Sequence, residues 1–150
     1  MMKRSQETDA VVHVPPGGPP QGAGPSREIF SRMGEEKIYL MCAAFYRELE
    51  KSPVRPLFPE DMPAASRHIA AFFIQLCGGP PLFNQTRGQP MMRARHLNFA
   101  IDESARQIWL GCFRKVLENA PHDFNFPAEH LPGFLRFLEE FSAWMVNRKG

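Results

Sequence analysis

A histidine flanked by arginines and apolar residues offers the most specific chemistry in this sequence. Residues 91–101 read MMRARHLNFAI, with His96 at the centre. A neutral imidazole is the commonest protein ligand for iron and other borderline metals. Arg93 and Arg95 precede the histidine and supply donors that suit carboxylates. Taken alone, however, a histidine beside arginine and phenylalanine is more often a surface or core residue than a ligand.

Two aromatic side chains elsewhere in the chain add hydrogen-bond donors. Tyr46 follows Phe45 on an apolar helical pattern, and Trp109 lies on another. A phenol and an indole are apolar bodies with one polar group each, and both are more often core residues than pocket donors. Haem iron in oxygen-binding proteins is held by one histidine. Apolar Phe99 and Ile101, after the histidine, could cover the flat face of such a group.

The elements that must position these residues are helices. Apolar residues recur at three- and four-residue spacing, and no stretch alternates convincingly at strand period. Asp102 is expected to cap a helix that carries Trp109. The predicted helices span about 35–50, 63–76, 102–117 and 131–146, with a short one ending near residue 97. Residues 82–89 and 121–127 are predicted to be irregular loops.

Composition divides the chain into two parts. Proline and glycine are dense in the second half of residues 1–27, and such a segment buries too little apolar surface to order itself. We therefore expect a disordered N-terminal extension at 1–27 and one folded domain at 28–150. The three cysteines, Cys42, Cys77 and Cys112, have no metal-binding spacing and are expected to be reduced.

The bulk properties exclude several classes of function. Of the 150 residues, 43% are hydrophobic and 23% are charged, with a formal net charge of +2. This balance gives no general attraction to nucleic acid or an anionic membrane. No apolar run has the length of a membrane span or the pattern of a signal peptide. We therefore expect a cytoplasmic protein.

Six short strings, in their order and separations, resemble the group II truncated haemoglobins. The resemblance covers about 30–146, essentially the whole predicted domain. The strings are AFYRELE (44–50), RPLFPEDM (55–62), FFIQLCGGPPLF (72–83), RGQP (87–90), RARHLNF (93–99) and WLGCFRKVL (109–117).

The resemblance implies an all-α fold, a two-over-two helical sandwich that encloses haem b. By the family pattern, His96 would be the proximal iron ligand. Tyr46 and Trp109 would be distal donors to a bound ligand. Ala65 would be the small distal-helix residue that faces the iron. The haem pocket would comprise Phe45, Phe58, Ala65, Ile69, Phe72, Arg95, Phe99 and Ile101.

The propionates of the haem would meet Arg95, Arg93 and His68. The sequence departs from the family pattern at three places. Gln89 stands where histidine is common, Asn98 where proline is common and Phe83 where tyrosine is frequent. None of these departures removes a proposed ligand or donor, although Asn98 adds a polar group near His96.

The expected function is binding of O2, NO, CO or peroxide, with slow release that suits chemistry or sensing better than bulk transport. Nitric oxide dioxygenation or peroxidase-like turnover would need a separate reductase, since the chain has no reductase domain. A homodimer is a further expectation. Two alternatives stay open: a haem-free helical interaction module, and a haem-based sensor that signals through residues 1–27.

Overall fold

The computed structural model describes residues 12–149, and this part of the chain is helical. It contains eight α-helices, and the predicted all-α class is confirmed. None of the described helices is both long and apolar enough to cross a membrane. The helices are α1 (Ile29–Met33), α2 (Glu35–Glu50), α3 (Met62–Leu76), α4 (Leu82–Arg87), α5 (Met92–His96), α6 (Glu103–Leu117), α7 (Ala120–Phe124) and α8 (Leu131–Met145).

The four long helices form two packed pairs, as the two-over-two prediction requires. Helix α2 packs on α3, α6 packs on α8, and α2 also contacts α6. Aromatic rings fill the space between the pairs. Phe113 of α6 stacks on Phe45 of α2 at 4.1 Å between ring centroids, and it meets Phe73 and Phe134 edge-on at 5.7 and 5.9 Å. Burial of such large apolar rings is the main stabilising term.

Two aspartates set where the site-bearing helices begin. The Asp61 carboxylate accepts a hydrogen bond from the Ala64 amide at 3.1 Å at the start of α3. Asp102 does the same for the Ala105 amide at 2.9 Å at the start of α6, so its predicted capping role is confirmed. Each cap satisfies an amide that the helix itself leaves unpaired.

The predicted irregular loop at 82–89 is wrong, because residues Leu82–Arg87 form α4. The Phe83 ring is buried, and the amide side chains of Gln75 and Asn84 fix the turn. Gln75 Oε1 accepts from the backbone N–H of Asn84, and Gln75 Nε2 donates to the side-chain Oδ1 of Asn84, both at 3.0 Å. The predicted 121–127 loop likewise contains part of α7. Helices this short have too few residues to show a period.

Residues 12–27 form no helix, in keeping with their proline and glycine content. They nevertheless contact the folded domain at a few points. The His13 amide donates to the Asn147 carbonyl at 2.8 Å, and Pro25 is buried. Composition reports low intrinsic order but not the contacts that backbone groups make with a folded surface. Residues 1–11 of the predicted extension lie outside the described part.

Gly78, which follows α3, is expected to tolerate no side chain. Its φ is +103°, and an added Cβ would lie 1.9 Å from the Arg27 carbonyl oxygen. Gly34 also has a positive φ, +84°, but open space around it. We expect Gly34→Ala to cost about 1–3 kcal/mol of unfolding free energy through backbone strain alone.

Gly78→Ala should cost at least about 1 kcal/mol more, because backbone must also move. Urea denaturation of both variants measures the difference. Equal losses would show that the contact with the Arg27 carbonyl is unimportant.

Candidate functional site

A cleft of about 260 Å³ lies between the helix pairs, and most of the predicted site residues line it. Its walls come from helices α2 to α6, from α8, and from the segments that precede α3 and follow α5. Apolar side chains dominate these walls. The predicted residues that line the cleft are Tyr46, Phe58, Ala65, His68, Ile69, Arg95, His96, Phe99, Ile101 and Trp109.

His96 is the last residue of α5, and its ring is held in one orientation. Its Nδ1 donates to the Met92 carbonyl, one turn back, at 2.6 Å. This bond keeps the proton on Nδ1 and leaves the lone pair on Nε2, the usual arrangement of a metal-binding histidine. Burial lowers the pKa of His96, the Met92 hydrogen bond raises it and the Arg95 charge lowers it. The net shift is downward, so the imidazole is neutral at pH 7.

Tyr46 and Trp109 place two donors on other walls of the same cleft. Both rings meet the Phe45 ring edge-on, at 5.5 and 5.3 Å between centroids. Within residues 12–149, neither the phenol nor the indole N–H has a hydrogen-bond partner, and neither polar atom is sealed from the cleft. Burial raises the pKa of Tyr46, with a smaller contribution from Cys42, so the hydroxyl keeps its proton. The cleft therefore has two free donors ready for a ligand.

The remaining walls suit a flat apolar group. Phe58 meets Tyr46 edge-on at 5.7 Å, Ala65 and Ile69 line the cleft from α3, and Phe99 is 41% exposed beside it. Among the described residues, no three His, Cys, Asp or Glu side chains gather as a metal site. The His96 imidazole in a mostly apolar cleft fits a metal that brings most of its own ligands, as haem iron does.

Phe45 and Phe72 were predicted to line the pocket, and the structure places them in the core instead. Phe45 is fully buried against Phe113, behind Tyr46 and Trp109. Phe72 lies three residues after Ile69, but its ring packs against Phe83 and Phe141. Each supports a cleft-lining residue without facing the cleft itself. Sequence spacing could not show this, because it does not report the rotation of one helix against the next.

The two arginines predicted near the propionates are engaged elsewhere. Arg93 does not line the cleft, and its guanidinium donates to the carbonyls of His13 and Val146, both at 2.8 Å. Arg95 does line it, but donates to backbone carbonyls of Arg87, Gln89 and Pro90 and lies 5.1 Å from the Phe83 ring centroid. The guanidinium N–H groups of both arginines thus bind backbone carbonyls, most of them outside the helices. The Gln89 side chain, where the sequence departs from the family pattern, is exposed, and Arg95 binds the backbone carbonyl of this residue.

Arg87 is a cleft residue to which the sequence analysis gave no role. Its Nη1 lies 3.4 Å from His68 Nε2, and both side chains are exposed at the mouth of the cleft. Burial lowers the pKa of His68, as do the charges of Arg87 and Arg67. The only sequence signal was a cation just before Gly88. That signal could not be used without the helix α4 that places Arg87 beside α3.

Arg95 is expected to hold the loop at 87–90 against the cleft. A lysine keeps the charge but has no planar fork for three carbonyls. We therefore expect Arg95→Lys to raise amide hydrogen exchange at Gly88, Gln89 and Met91, by on the order of tenfold for a loss of about 1.4 kcal/mol.

Arg136→Lys, at an exposed position on α8, is the matched control. Exchange in Arg95→Lys equal to that in the control would mean that the loop does not depend on this guanidinium.

Comparison with known proteins identifies the fold family. Residues 28–145 match the model of the bacterial-like globins. The chain therefore belongs to the bacterial-like globin family, and its relatives are group II truncated haemoglobins, which confirms the resemblance seen in the sequence.

Three relatives illustrate the match. Group 2 truncated haemoglobin YjbI of Bacillus subtilis is 34% identical over 91 residues, covering 60% of this chain and 69% of that protein. The structure of phosphate-bound Hell's gate globin IV is 37% identical with a TM-score of 0.79, covering 87% of this chain and 81% of that one. The truncated oxygen-avid haemoglobin of Bacillus subtilis is 31% identical with a TM-score of 0.72, covering 79% and 98%.

Proposed function

We propose that this globin binds haem b through His96 and holds dioxygen or a related diatomic ligand with Tyr46 and Trp109. One observation carries the proposal. A neutral imidazole, with its proton committed to the Met92 carbonyl, shares an apolar cleft with two donors that have no protein partner within 12–149. An ordinary core would pair the phenol and the indole with protein acceptors.

The residues of the chain would divide the work as follows. His96 Nε2 would hold the iron, and haem iron supplies an open coordination position for a small ligand. The Tyr46 hydroxyl and the Trp109 indole would donate to a ligand that carries partial negative charge. Because they are already oriented in an apolar cleft, they need little reorganisation. Phe58, Ala65, Ile69 and the other apolar lining would exclude water.

The strength of these donors favours retention of the ligand. A buried hydrogen bond to a charged partner is worth about 1.5–3 kcal/mol. At about 1.4 kcal/mol per tenfold, each bond slows release by about one to two decades. The relative from Bacillus subtilis described as oxygen-avid supports the same direction. Slow release suits nitric oxide or peroxide chemistry, or sensing, better than bulk oxygen transport.

At the mouth of the cleft we assign the propionates to His68 and Arg87. Both are exposed there, and their nitrogens are 3.4 Å apart. The Arg95 charge adds positive electrostatic potential to the cleft, while its guanidinium N–H groups bind the backbone carbonyls of the loop at 87–90. A separate reductase for any catalytic cycle, a homodimer and a cytoplasmic location stay predictions, as do the haem-free interaction module and the tail-dependent sensor.

The absorption spectrum tests the iron ligand. We expect the wild type to purify with an intense haem band that shifts when carbon monoxide is added to the reduced protein. His96→Gly should lose haem or change its ligation, because the variant lacks the Nε2 atom that we propose as the iron ligand. Added imidazole should restore the wild-type spectrum. His122→Gly, on the surface, is the control and should leave the spectrum unchanged. A wild-type spectrum in His96→Gly would show that His96 is not the iron ligand.

Oxygen release tests the two donors. Tyr46→Phe and Trp109→Phe should each speed release by about 10–100-fold, in line with one lost hydrogen bond to a charged partner. Stopped-flow replacement of oxygen by carbon monoxide measures the rate. Tyr39→Phe, on the same helix as Tyr46 but away from the cleft, is the control. Unchanged rates in both cleft variants would show that neither side chain touches the ligand.

A further inference from the structure

The helix that carries His96 is too short to hold its own position. Helix α5 spans five residues, and isolated helices of this length are unstable in water. Because His96 Nδ1 is bonded to the Met92 carbonyl within α5, the imidazole and the helix move as one unit. The contacts that fix α5 therefore also fix the imidazole.

Arg93 ties the first turn of α5 to two other parts of the chain. Its guanidinium donates to the carbonyls of Trp144 and Val146 at the end of α8, the latter at 2.8 Å. It also donates to the His13 carbonyl at 2.8 Å, and its central carbon lies 4.5 Å from the Trp144 ring centroid. One half-buried side chain thus joins three separate segments.

Asn147 ties the other end of α5 to the same region. Its side chain is fully buried just past α8. Its Nδ2 donates to the His96 carbonyl at 3.0 Å, and its Oδ1 accepts from the Ile101 amide at 3.0 Å. Its backbone carbonyl accepts from the His13 amide at 2.8 Å. The Asn147 carboxamide therefore binds the backbone of the last residue of α5 and the backbone of Ile101, which lies just before α6.

We propose that Arg93 and Asn147 are positioning residues that set the placement of the His96 imidazole in the cleft. We further propose that the N-terminal segment takes part in this through His13. This inference rests on the proposed role of His96 as the iron ligand. It assigns Arg93 a structural task in place of the propionate contact that the sequence suggested, and it links residues outside the globin helices to the metal side of the site.

The geometry favours an effect on the imidazole over a general effect on stability. His13, Arg93 and Asn147 form a clamp that joins α5 to the N-terminal segment and to the end of α8. None of these three residues lines the cleft. Weakening the clamp leaves the two donors in place, because Tyr46 lies on α2 and Trp109 lies on α6. The change should therefore be confined to the position and mobility of α5.

Arg93→Lys and Asn147→Asp test the clamp with little change in size. Lysine cannot reach three carbonyls as a planar fork, and an aspartate oxygen would face the His96 carbonyl, so that two acceptors meet. Without haem, we expect amide exchange at residues 95–97 to rise by on the order of tenfold. With haem, the iron–imidazole stretching band in the resonance Raman spectrum of the reduced protein should shift, and haem loss should quicken.

Two controls separate positioning from stability. Arg114→Lys changes an exposed arginine paired with Glu139, and Gly34→Ala destabilises the fold at a distance from α5. Neither should shift the Raman band or selectively raise exchange at 95–97. If Arg93→Lys and Asn147→Asp match these controls, the clamp has no positioning role. If instead His96→Gly keeps the wild-type spectrum, the proposed function fails, whatever the exchange rates show.

The N-terminal contact has its own matched pair. His13→Pro removes the amide that donates to Asn147, whereas His13→Ala keeps both backbone groups. We expect His13→Pro to raise exchange at 95–97 and to shift the Raman band in the direction seen for Asn147→Asp, while His13→Ala matches wild type. Identical behaviour of the two variants would exclude the N-terminal segment from the clamp.

Discussion

The hydrogen bond from His96 Nδ1 to the Met92 carbonyl is the interaction on which the rest of the site depends. At 2.6 Å it commits the ring proton to the helix and leaves Nε2 as an acceptor in the cleft. Without it, the imidazole could present either nitrogen or rotate away. Metal-binding histidines commonly have such a partner on the second nitrogen. Here the partner is backbone, so it comes with the helix and needs no additional side chain.

Because that bond ties the imidazole to α5, the orientation of the imidazole depends on the position of this short helix. Helix α5 packs on α8, and the segment beyond α8 binds its last residue through Asn147. Arg93 and Asn147 do this with polar groups, each of which joins several backbone segments. Such groups are specific because every donor has one geometry in which it is satisfied. The aromatic core beneath the cleft, by contrast, is stabilised by the burial of apolar surface and by the close packing of its rings.

The sequence predicted the long helices, the Asp102 cap and most of the residues that line the cleft. Tyr46, His96 and Trp109 lie far apart in the chain, and the family pattern was needed to bring them together. It did not show that Phe45 and Phe72 pack in the core, or that Arg93 binds backbone carbonyls. Their placement depends on helix rotation and on backbone carbonyls that only the folded chain presents. Helix α4 was missed for a related reason, since a side-chain amide pair between Gln75 and Asn84 stabilises it.

The most direct test of the account is a crystal structure of the protein with haem bound. We expect an iron bond to His96 Nε2, with the Nδ1 hydrogen bond to the Met92 carbonyl retained. We also expect the Tyr46 hydroxyl and the Trp109 indole on the opposite face of the haem. Iron bonded to His68 or to another side chain in place of His96 would contradict it, as would a haem that lies outside this cleft.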